Sequence, residues 1–210
     1  MVVSHPDTAY AVRILSQYIQ NPGLPHWEGL KRVIMYLSNT KNLWLIFGEK
    51  KETFVEEYCN ADWVSQEDWH SISGFSFHYG HGVVLWSLKK QSIIALSSME
   101  AEYIVETHTA KEAIWLRMFV NEINGGMRGP LTLMVDNQGA IALAKDNEFY
   151  LRTIHTDLQY YFIHEAIEDG KVKILYIPSM DNTADIFTKP LAKPKFKQFV
   201  EALGLVIMKE

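Results

Sequence analysis

Three acidic side chains carry most of the chemical interest of this 210-residue chain: Glu102, Asp136 and Asp185. Asp136 directly follows the apolar run LTLMV (131–135), at the carboxyl end of a predicted strand, where open α/β sheets build their sites. Asp185 falls in the first turn of the helix after the last predicted strand. Glu102 lies in the first turns of a long helix beside its apolar stripe. Acidic residues favour helix first turns on their own account, through the macrodipole, so no one of them marks a site. Brought together, they suit phosphodiester hydrolysis with two metal ions. Mg²⁺ prefers oxygen ligands and is held by a few carboxylates with substrate phosphates. Two such ions roughly 4 Å apart activate a water and stabilise the leaving oxygen.

The elements that must position these residues follow from periodicity. Val12, Leu15, Tyr18 and Ile19 recur at helical spacing until Asn21-Pro22-Gly23, with Asp7 as a candidate cap. A second helix starts near Pro25, carries Trp27, Leu30, Val33, Ile34 and Leu37 on one face, and ends at Ser38-Asn39-Thr40. The pair is a helical hairpin with an apolar seam. Strand-like runs follow: LWLIF (43–47), TFVEEYCNAD (53–62), GFSFHYG (74–80), VVLWSL (83–88) and SIIAL (92–96). Phe75, Phe77 and Tyr79 alternate with Ser76 and His78, as in a half-buried strand.

A capping box at Ser97 and Glu100 opens a helix running to about Asn124. Its apolar stripe is Ala101, Ile104, Val105, His108, Trp115, Met118 and Phe119. Beyond LTLMV the pattern gives helices at about 138–145 and 154–169, the strand VKILYI (172–177) and a last helical stretch from Asn182. An antiparallel meander followed by β-α-β units predicts one mixed α/β sheet with helices on its faces and its later strands parallel.

Composition sets the limits. The chain is 48% hydrophobic and 21% charged, ordinary for a globular protein. No apolar run approaches the ~20 residues of a membrane span, and MVVSHPDTAY lacks signal-peptide features, so no membrane partner is expected. Cys59 is the only cysteine, which excludes an internal disulfide and points to an intracellular, cytoplasmic setting. The net charge of −5 argues against binding nucleic acid by bulk charge, though not against a metal-dependent nuclease. Basic residues cluster at Lys89-Lys90, predicted to lie in a turn, and at Lys189, Lys193, Lys195 and Lys197.

The segments YCNADW (58–63), SISGFSF (71–77), ALSSMEAEYI (95–104), KEAIWLR (111–117), VDNQGAIALAK (135–145) and NTADIFTKPL (182–191) strongly resemble the ribonuclease H domain of copia-class retrotransposon pol polyproteins. HPDTAYAVRILSQYI and HWEGLKRVIMYL resemble the end of the reverse transcriptase that precedes it. The resemblance implies two parts: a reverse transcriptase remnant over 1–50, comprising the hairpin and a connecting strand, and a ribonuclease H-like domain over 51–210. It implies an endoribonuclease that cleaves the RNA strand of RNA–DNA hybrids with Mg²⁺, or Mn²⁺ as a substitute. Its partners would be the hybrid and the polymerase domain of the same polyprotein, in a virus-like particle if the element is active. None of the polymerase's own catalytic motifs is present.

The family's metal-binding carboxylates fall on Glu102, Asp136 and Asp185, and the first Asp falls on Asn60. An amide is neutral and offers one acceptor oxygen, so hydrolysis is expected to be severely impaired with the fold retained. Asp62 lies on the same strand face as Asn60, about 6.6 Å further along, and is the candidate for compensation as an alternative ligand. The other outcome is an inactive hybrid-binding or assembly module, domesticated or a relic. An integrase is rejected because its acidic order is Asp-Asp-Glu, whereas here Glu102 comes first. His155 and Asp157 are read as capping and helix packing. Cys59 is read as a packed thiol, and Trp86, Trp115 and Tyr160-Tyr161-Phe162 as core. Lys89, Lys90, Arg152, Lys189, Lys193 and Lys195 are the candidates for backbone phosphate contacts.

Overall fold

The computed structural model describes residues 4–48, 55–63, 69–124, 129–145 and 157–207, with the side chains of residues 124 and 157–160 left aside. Five strands build the main sheet: β2 (Val55–Asp62), β3 (Ile72–Tyr79), β4 (Gly82–Lys90), β5 (Leu131–Val135) and β6 (Val172–Tyr176), in the order β4-β3-β2-β5-β6. β2, β3 and β4 form the antiparallel meander, and β5 runs parallel to both β2 and β6. This is the mixed α/β sheet, an antiparallel meander followed by parallel strands, that the residue pattern predicts.

The sheet separates two cores. On one face α3 (Ser98–Asn124), α4 (Gln138–Lys145) and α5 (Asp157–Glu168) cover Val55, Cys59, Phe75, Phe77, Leu133 and Ile174. On the other, α1 (Ala9–Ser16), α6 (Asp185–Thr188) and α7 (Lys193–Ala202) enclose Val83, Ile186, Phe187, Phe199 and Leu203. The hairpin partner α2 (Leu24–Asn39) lies beyond α1. A short strand β1 (Leu43–Leu45) pairs antiparallel with β7 (Leu205–Ile207), joining the N-terminal segment to the last residues of the domain.

Several local expectations are corrected. Asp7 does not cap α1; it lies buried in a 3₁₀ turn and accepts a 2.7 Å hydrogen bond from the Tyr36 hydroxyl. SIIAL is not a strand: Ile93, Ile94 and Leu96 are exposed, and β4 instead continues through Lys89 and Lys90, which therefore do not form a turn. β3 is buried on both faces from Ile72 to His78, because α6 covers the face expected to meet solvent. The far half of the α3 stripe is open, with Trp115, Met118 and Phe119 about half exposed, while Ala110 and Ala113 enter the core. Trp115 instead stacks on Phe119, with ring centroids 5.6 Å apart. No strand was expected at the C-terminus, where β7 forms.

One core residue is unusual. Glu57 is fully buried and pairs in register with Phe77 on β3 and Leu133 on β5, both also fully buried. Neither of its carboxylate oxygens has a hydrogen-bond partner, and burial pushes its pKa well above the usual carboxylate range. The folded chain therefore holds a proton that the unfolded chain releases. The stability that goes with this proton is complete below the unfolded value and is lost as pH rises through the folded one. Glu57→Gln should accordingly stabilise the chain at pH 8 by at least about 1 kcal/mol and change little at pH 4. Thermal unfolding at both pH values measures this; equal effects at both would contradict it.

Candidate functional site

Asn60 sits near the end of β2, facing away from Cys59 and the α3 side of the sheet. Its amide Nδ2 donates to Asp185 Oδ1 and to Thr188 Oγ1, both at 2.7 Å. Such close approach of α6 to the strand needs a gap in the sheet surface. Gly74, the register partner of Asn60 on β3, supplies it. A Cβ there would lie 2.7 Å from Thr188 Cγ2 and 2.9 Å from Phe187 Cβ.

The loop before α6 is fastened just as specifically. Asn182 is fully buried; its Nδ2 donates to the Cys59 carbonyl at 2.9 Å, and its Oδ1 accepts the Ala184 N–H at 3.2 Å. Phe187 and Ile186 then enter the second core, which fixes the turn that presents Asp185. The Lys189 ammonium, four residues on, pairs with Asp185 Oδ1 at 2.8 Å. Burial raises the Asp185 pKa, and Lys189 opposes that rise.

Glu102 comes from the start of α3, whose N-terminus is held in three ways. Ser97 Oγ accepts the Glu100 N–H at 3.1 Å. Glu100 reaches back to the Leu96 N–H at 2.7 Å, one residue before its expected partner. Gln91 Nε2 donates to the Ala101 carbonyl and to Ser73 Oγ, both at 2.9 Å. Asp136 stands between the end of β5 and α4, where Asn137 Oδ1 accepts the Ala140 N–H at 3.1 Å.

Glu102, Asp136 and Asp185 come close enough to repel one another. Burial raises the Glu102 pKa most, the Ala61 backbone N–H opposes this, and the charges of Asp136, Glu106 and Asp185 add to the rise. Glu102 Oε2 has no hydrogen-bond partner. The charge of Asp62 acts on Tyr10 of α1. Among the described residues no three His, Cys, Asp or Glu side chains already stand as a metal-ligand set.

The basic candidates divide. Lys189 is engaged by Asp185. Lys195 lies over the Phe199 ring at 4.3 Å and also acts on Asp185. Lys193 begins α7. Lys89 and Lys90, with Gln91, His108 and Glu112, line a cavity of about 160 Å³ beside α3. Arg152 and His155 lie outside the described residues, as does the Asp157 side chain. Cys59 is fully buried, and burial pushes its thiol pKa up. Sequence reasoning missed Asn182, Thr188 and Glu106. Only Glu106 left a signal, four residues from Glu102 on one helix face.

No family model matches the chain. It is 37% identical over 206 residues to the retrovirus-related Pol polyprotein from transposon TNT 1-94 of Nicotiana tabacum, covering 98% of this chain and 15% of that protein. The Pol polyprotein from transposon RE2 of Arabidopsis thaliana is 32% identical over 207 residues, covering 98% of this chain and 14% of its own length. The chain belongs to the retrotransposon Pol polyproteins. The chain spans about a seventh of the length of these two relatives. A solved structure of LC11-RNase H1 in complex with an RNA/DNA hybrid has a TM-score of 0.47 and 14% identity, covering 64% of this chain and 93% of that one. Among the described residues no helix is long and apolar enough to cross a membrane.

Replacing Asn182 with Ala removes its hydrogen bonds to the Cys59 carbonyl of β2 and from the Ala184 N–H, both at a buried position. Asn182→Ala should therefore lower stability by about 1–3 kcal/mol, read as a shift in the urea midpoint. An unchanged midpoint would remove Asn182 as the fastening of the Asp185 turn.

Proposed function

We propose that this Pol segment is a ribonuclease H-like domain that recognises RNA–DNA hybrids, built for Mg²⁺-dependent hydrolysis of the RNA strand and impaired in it by Asn60. It belongs to a copia-class element and works beside the reverse transcriptase polymerase domain of the same polyprotein, in the cytoplasm or a virus-like particle. The observation that carries this reading is the contact between Asn60 and Asp185. It joins β2 to α6 at the point where two of the expected metal-binding positions meet, and it presents a hydrogen where hydrolysis needs a second anionic oxygen.

The residues suit a hard cation on one side of the pocket only. Glu102 Oε2 and both Glu106 oxygens are buried and unpartnered, the donor type that Mg²⁺ prefers. Asp185 is already engaged by Asn60 and Lys189. Glu102, Asp136 and Asp185 would hold the metal, with Asp62 outside the group and Mn²⁺ as a substitute ion. Bound metal would supply an activated water and neutralise the developing charge. The chain's own residues set the position: α6 and β2 fix Asp185, the α3 N-terminus fixes Glu102, and the end of β5 fixes Asp136. With a net charge of −5, hybrid recognition rests on shape, 2′-OH contacts and a few basic side chains, among them Lys89, Lys90, Lys193 and Lys195, with Arg152 as a further candidate.

The hydrogen bonds that already satisfy Asn60 favour one other reading, an inactive hybrid-binding or assembly module. Cleavage of a labelled RNA–DNA hybrid in Mg²⁺ and in Mn²⁺ separates the two. Asn60→Asp should cleave about 100-fold faster or more than the natural chain, with hybrid affinity little changed. Binding without cleavage in both forms would select the inactive module. Strong cleavage by the Asn60 chain would overturn the role given to this residue.

A further inference from the structure

Glu106 lies one helical turn beyond Glu102 on α3, so the two carboxylates project from the same face about 6 Å apart along the axis. Glu106 is fully buried, and neither of its oxygens has a partner; Glu102 is 5% exposed with Oε2 unpartnered. Both side chains feel the charge of Asp136, the residue that follows β5. The pocket is therefore lopsided. Asp185 has Lys189 and Lys195 as counter-charges and Asn60 as a donor. On Glu106 the charge that acts is that of another acid, Asp136.

We propose that a single divalent cation binds between Glu102, Glu106 and Asp136, with Glu106 supplying the carboxylate that position 60 lacks. This rests on the reading of the pocket as a modified two-cation site. The charge count supports it: Glu102, Glu106, Asp136 and Asp185 still provide four acids. The ion's place moves away from Asn60 and Lys189, toward the side where oxygens are unsatisfied. Oxygen donors and a water-retaining octahedral shell suit Mg²⁺ or Mn²⁺. The adjacent Cys59 thiol donates toward the Met134 carbonyl, at 3.9 Å, and such an ion has little preference for sulfur. No three of these acids stand as a ready ligand set, so binding requires rotation of the Glu106 and Glu102 side chains toward Asp136.

Calorimetric titration of the full 210-residue chain with Mn²⁺, without nucleic acid, tests this. About one ion per chain is expected. Glu106→Gln should weaken binding at least tenfold while its unfolding temperature in EDTA stays equal or rises, which excludes misfolding as the cause. Asn60→Asp should add a second ion and leave the Glu106-dependent one in place. Equal affinity in Glu106→Gln and the natural chain would overturn the proposal. So would Mn²⁺ binding that appears only in Asn60→Asp. Because the readout is ion binding, failure of Asn60→Asp to cleave a hybrid would count against the proposed activity and leave this inference standing.

Discussion

An amide can do at position 60 what a carboxylate cannot: it can give away hydrogens. Asn60 Nδ2 places its two hydrogens on Asp185 Oδ1 and Thr188 Oγ1, each at 2.7 Å. Two carboxylates that close would repel unless a cation or a shared proton lay between them. The contact between β2 and α6 therefore closes by hydrogen bonding alone. Around it the chain has arranged a glycine on the adjacent strand, a buried Asn182 before the turn and a lysine after it, all serving the same close approach.

The result is a pocket with two electrostatic characters. On the α6 side, the Asp185 carboxylate has Lys189 as its counter-charge and the Asn60 amide as a hydrogen-bond donor. On the α3 side, the charges of Glu106 and Asp136 act on Glu102, and that of Asp136 acts on Glu106, without such balance. Burying unpaired carboxylates is among the most costly arrangements a protein makes. Each must take a proton or a cation. Glu57, deeper between Phe77 and Leu133, has only the proton available to it, since apolar side chains flank it on both neighbouring strands. Glu106 differs because other acids share its space.

Much of this was legible from residue order. The alternation and turn signals gave the meander, and α4 spans Gln138–Lys145, the range its apolar spacing indicated. Asp136 could be placed because an apolar strand ends immediately before it. Other features left no periodic trace. β7 is three residues long and exists because β1 offers it an edge. Ile93, Ile94 and Leu96 look like a strand yet lie exposed, since the ladder already ends at Lys90. Glu106 escaped notice because counting an apolar stripe passes over acids buried within it. Residues 101–107 of α3 are all buried, which a one-sided stripe does not anticipate. Asn182 and Thr188 work through contacts more than 120 residues away in sequence, beyond any local pattern.

The second core adds a connection between the site and the N-terminal hairpin. Ala9 of α1 packs in the same cluster as Ile186 and Phe187 of α6, and Tyr36 of α2 meets Phe196 of α7 edge-on at 5.8 Å. β1 then pairs with β7, and the Ile46 N–H donates to the Gly204 carbonyl at 3.0 Å. The turn that carries Asp185 thus packs between the main sheet and the hairpin, while Glu102 and Glu106 belong to α3. The amide at position 60 fits the same division, because its two hydrogen bonds keep α6 seated on β2 and so preserve the second core.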